Sequence, residues 1–188
     1  MILERDDVHF LRLATWLLAG AGRSGRVEVK YTSSIALEAL HIKVATLDDV
    51  SALASLRYQW RAGERGEEGL SFPAFSDAFR HWMELHAASH VPFLGTQGAE
   101  PIAMGWLAIV DRVPGPEHFE RRSGYLQSIY VTEPRRSRGV GTALVEFMLG
   151  HARGLDLQYL AVHPSDASFS LYRRFGFIES QHVLELRW

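Results

Sequence analysis

A cluster of three arginines and two glycines in the middle of the chain has the composition of an anion-binding loop. The cluster consists of Arg135, Arg136, Arg138, Gly139 and Gly141. Residues 126–132 before it mix β-branched, aromatic and aliphatic side chains as a strand does, and apolar residues recur at helical spacing after it. The first N–H groups of a helix are unpaired, and the helix dipole favours negative charge there. The pattern therefore predicts a site for a phosphate-bearing ligand, and a diphosphate suits it.

Two well-known phosphate loops do not fit this stretch. A Walker loop requires a lysine directly after its second glycine, and no lysine lies near Gly139 or Gly141. The dinucleotide fingerprint requires a third glycine where this chain has Leu144. Residues 20–25 formally match that fingerprint, but a helix-like segment precedes them and a strand-like segment follows, which is the reverse of the required order. We interpret residues 20–25 as a connector.

The stretch from Arg136 to Gly141 resembles the acetyl-CoA pyrophosphate loop of the GCN5-related N-acetyltransferase (GNAT) superfamily. That signature is Gln or Arg, two residues, Gly, one residue, then Gly or Ala. About thirty residues further on, Leu171–Phe177 resembles the family's Leu-Tyr-x-x-x-Gly-Phe. The resemblance covers residues 41–188 and implies an α/β (α+β) fold. The expected architecture is a mixed, mostly antiparallel central sheet with helices on both faces.

The resemblance also implies an activity, which is transfer of an acetyl group from acetyl-CoA, as co-substrate, to the primary amine of a small molecule or peptide. In the family, the backbone of the cofactor strand pairs with the pantetheine arm and polarises the thioester carbonyl. The positions carried over for cofactor binding are Ile129, Tyr130, Val131, Arg136, Arg138, Gly139, Val140, Gly141, Thr142 and Ser165. Tyr172 falls on the family's general-acid position, where a phenol protonates the departing CoA thiolate.

Two positions depart from the family's pattern. Many members have Asn seven residues before the tyrosine, and this chain has Ser165. Members with a glutamate base place it early on the cofactor strand, where this chain has Tyr125, Leu126 and Gln127. Other candidate bases are Glu64, Glu84, Glu117 and His118; attack through water or without a base also stays open. A non-catalytic acyl-CoA-binding sensor or interaction domain is the alternative, and the intact Tyr172 argues against it.

Composition narrows the class of protein. The 188 residues are 47% hydrophobic and carry a net charge of −2, which suits one globular domain and argues against a nucleic-acid partner. The absence of cysteine excludes disulfides, thiolate metal sites and a cysteine nucleophile. His86 and His90 lack the glutamate of a zincin motif, so no metal is expected. The apolar stretch 8–21 is short and has no basic region before it, so we expect a cytoplasmic chain without a membrane partner.

The elements that position these residues follow from periodicity and turn residues. Residues 1–40 read as an extension of unknown role, and apolar residues at 10–18 together with a closing strand raise a homodimer as an option. Thr46 and Asp49 form a capping-box pattern that predicts a helix start. Predicted strands are 41–45, 91–95, 102–110, 126–132, 157–162, 177–179 and 183–188, and predicted helices begin near 46, 74, 139 and 165, with a long loop at 111–124.

Overall fold

The structure is a computed structural model that describes residues 39–180 and Leu186. The predictions for the segments 10–18 and 20–25, and for the strand at 183–188 apart from Leu186, lie outside the described residues. The expectation of a homodimer rests on those segments, so it also lies outside the described residues.

Five strands form one sheet in the order β1-β2-β3-β4-β5. The strands are Leu40–Val44 (β1), His90–Gln97 (β2), Glu100–Asp111 (β3), Arg122–Val131 (β4) and Leu160–Val162 (β5). Neighbours from β1 to β4 run antiparallel, and β5 runs parallel to β4. The predicted mixed, mostly antiparallel sheet is confirmed.

Helices cover both faces of this sheet, as predicted. They are Val50–Tyr58 (α1), which continues as a π-helical turn at Gln59–Glu64, then Phe72–Leu85 (α2), Val140–Ala152 (α3) and Asp166–Arg174 (α4). On one face Leu53, Leu56 and Met83 from α1 and α2 pack with Tyr130 of β4. On the other face Leu144 and other α3 residues pack with Tyr172 of α4. Within residues 39–180, no helix has the length and apolar character needed to span a membrane.

The capping box at the first helical segment is confirmed. Asp49 accepts from the backbone N–H of Thr46 at 3.0 Å, and Thr46 Oγ1 accepts from the N–H of Asp48 at 3.3 Å. A short 3-10 turn, Leu47–Asp49, therefore leads into α1. Lys43 Nζ, 2.7 Å from Asp49, ties the start of this segment to β1.

Three predicted segments differ in the structure. The strand predicted at 157–162 is shorter, since β5 begins at Leu160. The loop expected at 111–124 is shorter, because Val110 pairs with Ser123 and Asp111 with Arg122. Backbone ladders do not require apolar side chains, so the polar composition of these strand ends concealed them. The strand expected at Phe177–Glu179 is wrong, since residues 177–180 lie in neither a strand nor a helix.

Gly124 provides a test of how tightly β4 and β5 pack. It lies opposite Leu160, and a Cβ at this position would be 2.6 Å from Leu160 Cδ1 and 2.7 Å from Leu157 Cδ1. We expect Gly124→Ala to lower the free energy of unfolding by about 1–3 kcal/mol through overpacking.

Gly150→Ala is the matched control, because a Cβ on this helical glycine would meet nothing within 4 Å. Its helix propensity should raise stability by roughly 0.5–1 kcal/mol. Urea unfolding measures both variants. Equal stabilities would contradict the close packing at the start of β5.

Candidate functional site

The loop between β4 and α3 ends at a helix start whose backbone is open to a ligand. Gly139 is the N-cap residue and has a φ of 81°, in the left-handed region that favours glycine. No described side chain caps this helix, so the N–H groups of its first turn, at Val140, Gly141 and Thr142, lack a capping partner in this part of the chain. A Cβ on Gly139 would meet no described atom within 4 Å, so the space beside it is open with respect to these residues. An anion can therefore approach this helix start.

The three arginines of the loop have three different environments. Arg135 donates to Glu100 at 2.8 Å. Arg136 donates from Nε to the carbonyl of Val131 at 2.9 Å and from Nη2 to Glu64 at 2.5 Å, and the latter bond raises the pKa of Arg136. Arg138 is exposed and has no ion pair within residues 39–180. Arg138 is thus the loop cation left for a ligand, whereas Arg136 joins the loop to the end of α1.

A buried hydroxyl near this loop has no partner. Thr132 follows β4, is 7% exposed, and its Oγ1 makes no hydrogen bond to any described residue. Leaving a buried polar group unpaired costs about 1–3 kcal/mol, and such groups are usually satisfied by water or a ligand. The end of β4 therefore has an unmet polar contact next to the open helix start.

The strand that precedes the loop has an open side. β4 pairs with β5 from Gly124 to Leu126, the last pair being Leu126 with Val162. Beyond that point, residues 127–131 of β4 have β3 on one side and no strand on the other within the described part of the chain. Unpaired backbone at such an edge can accept an extended ligand as an added strand. The predicted backbone contacts of Ile129, Tyr130 and Val131 lie in this open segment.

The two stretches that carry the family resemblance lie side by side. A Cβ on Gly141 would be 3.8 Å from Val131 Cγ2 and 4.0 Å from Leu171 Cδ2, so α4 lies next to the start of α3. Ser165 is the N-cap residue of α4, and its Oγ is 3.0 Å from Ser168 Oγ. The start of α3 and Leu171 of α4 are therefore brought together, while Ser165 lies at the N-terminal end of the same helix α4.

Tyr172 is positioned by the core on the α3 side of the sheet. It is 5% exposed and packs edge-on against Phe177, with ring centroids 5.6 Å apart. Burial, with a smaller contribution from Tyr125, raises the pKa of Tyr172 to about 12. The phenol is therefore protonated at neutral pH and can act as a proton donor.

A tyrosine–histidine pair near Tyr172 was missed from the sequence. Tyr125 Oη lies 2.6 Å from Nδ1 of His163, which follows β5 directly, and the rings meet edge-on. Leu126 points into the core beneath α3, so strand alternation directs Tyr125 to the opposite face. The one signal in the sequence was the position of Tyr125, which lies early on the cofactor strand, where some family members have a glutamate base. His163 itself could not be found, because only the fold brings β5 alongside β4.

The open segment of β4 contains a β-bulge. Met104 of β3 lies opposite Tyr130 and Trp106 lies opposite Gln127, so three steps along β4 cover two along β3. Ser128 in this bulge has a φ of 54°. A bulge disrupts the ladder locally and frees backbone groups of the extra residue. This irregularity lies on the strand predicted to hold the thioester.

Glu64 is the one candidate base that reaches the cofactor strand. It accepts from Tyr130 Oη at 2.6 Å as well as from Arg136. Burial alone would raise the pKa of Glu64, but these two hydrogen bonds and the charge of Arg136 outweigh it and lower the pKa. Glu64 is thus a carboxylate already occupied by two donors and a weak base.

The other candidates from the sequence are exposed and lie elsewhere. Glu84 on α2 is 3.8 Å from His81, and Glu117 and His118 lie in the loop between β3 and β4. Within residues 39–180 no three His, Asp or Glu side chains are grouped so that they could hold a metal ion.

The sequence is similar to known acetyltransferases. The profile of the Acetyltransferase (GNAT) family matches residues 52–177. An L-methionine sulfoximine/L-methionine sulfone acetyltransferase of Pseudomonas paraeruginosa is 30% identical over 100 residues, which cover 51% of this chain and 56% of that protein. A protein of the same name in Pseudomonas aeruginosa matches equally well. The match therefore spans about half the length of these curated relatives.

Solved structures share the fold. A predicted acetyltransferase from Clostridium acetobutylicum, solved with acetyl-CoA, has a TM-score of 0.65 at 19% identity, covering 79% of this chain and 96% of that chain. A GCN5-related N-acetyltransferase from Ralstonia eutropha has a TM-score of 0.60 at 23% identity, covering 79% and 98%. At such identities the likeness is one of fold alone. The family profile covers more than half of the sequence, and on that ground the chain belongs to the GNAT acetyltransferase family.

Proposed function

We propose that this protein is an acetyl-CoA-dependent N-acetyltransferase that acetylates the primary amine of a small molecule. The observation that carries the proposal is the joint presence of an open helix start at Gly139 and an open side of β4 that leads to it. Relatives named for acetylating L-methionine sulfoximine and L-methionine sulfone support a small-molecule acceptor, because both compounds carry an amine.

The residues present fit the cofactor. In this proposal the first-turn N–H groups at Val140, Gly141 and Thr142 and the Arg138 guanidinium hold the pyrophosphate, since both are open and both favour an anion. The unpartnered Thr132 hydroxyl is a further polar contact at this end of β4. Arg136 supports the loop through the carbonyl of Val131.

The remaining cofactor contacts follow the open side of β4. The backbone of Ile129–Val131 pairs with the pantetheine arm in this proposal, and Ser165 adds a hydroxyl from the start of α4. Acetyl-CoA supplies an acetyl group on a thioester, whose C–S bond breaks as the amine nitrogen bonds to the carbonyl carbon. Backbone N–H groups freed by the bulge at Ser128 donate to the carbonyl oxygen as negative charge develops there, a contribution often worth about 3 kcal/mol.

Tyr172 donates its proton to the departing sulfur. A thiol has an ordinary pKa near 8.5, while the pKa of Tyr172 is about 12, so this transfer is uphill in water. The pKa of about 12 already includes the burial of Tyr172. Burial of the departing sulfur raises the pKa of its thiol above 8.5 in the same way, so the difference between donor and acceptor becomes smaller. The proton on Tyr172 is afterwards restored from solvent.

Removal of the amine proton is assigned to Tyr125 and His163. The phenol of Tyr125 accepts the amine proton as it gives its own to His163 Nδ1, 2.6 Å away. Imidazole suits this step because one ring nitrogen can take up a proton while the other can release one. This pair starts on the segment of β4 where many family members have a carboxylate.

Cofactor binding is tested first, by thermal unfolding with and without acetyl-CoA. A ligand at one hundred times its Kd adds about 2.7 kcal/mol, or roughly 5–11 °C for a chain of this size. ATP and NAD, added as controls, should give no such shift. Gly139→Ala should remove most of the acetyl-CoA shift, because alanine is strained at a φ of 81°.

Gly150→Ala, at a helical glycine outside the loop, is the control for that variant, since a new Cβ there would meet no described atom within 4 Å. It should keep the shift. If the folded wild type shows no thermal shift with acetyl-CoA, the proposed function is wrong.

The role of Tyr172 is tested by Tyr172→Phe. We expect kcat to fall by roughly 10²–10⁴ while the acetyl-CoA thermal shift is kept, because only the proton donor is lost. With a pKa of about 12 the phenol keeps its proton, so loss of this proton should not lower wild-type kcat as the pH rises to about 10. An unchanged kcat in Tyr172→Phe would mean that another group acts as the general acid. A wild type that binds acetyl-CoA but turns over no amine would favour the sensor alternative.

The Tyr125–His163 pair makes a separate prediction. His163→Gln should lower kcat by roughly 10²-fold or more at neutral pH. The loss of kcat should be smaller at high pH, where more of the amine substrate is already deprotonated in solution. Steady-state rates across pH measure this. The exposed His118→Gln is the control and should resemble the wild type. Parallel pH profiles for His163→Gln and the wild type would rule out the proton relay.

A further inference from the structure

Three arginines surround one indole at the end of α1. The guanidinium carbons of Arg57, Arg61 and Arg65 lie 5.1, 5.7 and 5.0 Å from the centre of the Trp60 ring. Trp60 in turn stacks on Tyr130 of the cofactor strand, with ring centroids 5.5 Å apart. The positive charge is therefore held against β4 by aromatic contacts and not by carboxylates alone.

The carboxylates nearby do not balance these charges. Glu67 pairs with Arg61, and Glu64 is taken by Arg136 and Tyr130. Neither Arg57 nor Arg65 has an ion pair within residues 39–180. The cluster therefore has two guanidinium groups without a direct ion pair among the described residues, although Glu67 attracts Arg57 and Glu64 attracts Arg65 from a greater distance.

Arg57 is the member that is held closest to the strand. It is half-buried, and burial followed by repulsion from Arg61 lowers its pKa despite the opposing attraction of Glu67, so its charge is only partly compensated. Its Nη1 donates to Ser128 Oγ at 3.1 Å, inside the β-bulge. A guanidinium has five N–H donors, so further donors remain beyond the one bonded to Ser128.

We propose that Arg57 binds a carboxylate of the acceptor, and that the acceptor is therefore a small amino acid. This inference rests on the proposed acetyl transfer at β4. The planar fork of arginine matches a carboxylate with two parallel hydrogen bonds, and the neighbouring Arg61 and Arg65 add long-range attraction. A cation that is only partly compensated gains more from a bound anion than a paired surface arginine does.

The geometry also restricts the spacing of the two groups on the acceptor. A carboxylate on Arg57 lies one hydrogen bond from a guanidinium that itself contacts the bulge through Ser128. The amine has to reach the thioester on the same strand, so only a few bonds separate it from the carboxylate. An α-amino acid meets this requirement, and a long diamine or an aminosugar without an acidic group does not.

A phosphate of acetyl-CoA is the other anion that could contact Arg57, and the experiment separates the two sources. The wild type is assayed by thiol release with a panel of L-amino acids and their α-carboxamides, which keep the amine and remove the negative charge. We expect the free acids to have a kcat/KM roughly 10- to 100-fold higher than their amides. Arg57→Gln should reduce that ratio to near one and leave the KM for acetyl-CoA unchanged.

Two further variants keep the test sharp. Arg57→Lys retains the charge without the fork and should keep part of the preference, which guards against misfolding of Arg57→Gln. Arg80→Gln removes an exposed arginine on α2 and should keep the full preference.

The outcomes separate failure of this inference from failure of the proposed acetyltransferase function on which it rests. Equal rates for acids and amides, or a raised KM for acetyl-CoA in Arg57→Gln with the preference intact, would overturn the carboxylate site while the acetyltransferase proposal stands. Binding of acetyl-CoA without acetylation of any amine would overturn both.

Discussion

The early end of the parallel pairing between β4 and β5 is the constraint on which the site depends. Three residues of β5 pair with β4, after which His163 and Pro164 lead the chain away into α4. Among the described residues, the part of β4 after Leu126 pairs with β3 only, so backbone groups on its other side need a partner from elsewhere. The open helix start of α3 lies at the end of the same strand. One interrupted ladder thus creates an unpaired strand edge that leads to an open helix start.

Glu64 connects the two walls of this opening. Its two carboxylate oxygens accept from Tyr130 on the strand and from Arg136 in the loop, while Trp60 packs on the ring of Tyr130. An arginine expected to serve the ligand is thereby used to join the loop to the end of α1. The same contacts keep Glu64 ionised through its lowered pKa. The loop and the end of α1 are therefore joined through one carboxylate.

The features predicted from the sequence are those encoded by neighbouring residues. The capping box at Thr46 and Asp49, the start of α3 at Gly139 and the helix that carries Tyr172 all depend on local spacing, and the structure confirms each element. The architecture followed from the family resemblance. Which of these residues bind a ligand stays a prediction.

The features that were missed depend on contacts between distant residues. The bulge at Ser128 arises from register against β3, and the pairing of Arg136 with Glu64 joins residues 72 positions apart. Tyr125 and His163 meet only because β5 lies beside β4. The β3–β4 hairpin is longer than predicted because backbone pairing continues through residues with polar side chains, such as Asp111 and Arg122. None of these has a signature in local composition or periodicity.

The π-helical turn at Gln59–Glu64 has a consequence for how such a site diversifies. A π-turn accommodates one residue more than an α-helical turn in the same helix, and such turns are frequent at functional sites. Because the π-turn absorbs its extra residue, deleting a single residue there would restore α-helical winding and leave the chain after the turn with nearly its present rotation. The side chains within the turn, from Gln59 to Glu64, would exchange positions, while the buried face of α1, from Val50 to Leu56, would stay unchanged. A one-residue length change at this turn can therefore change which side chains lie beside β4 without disturbing the core.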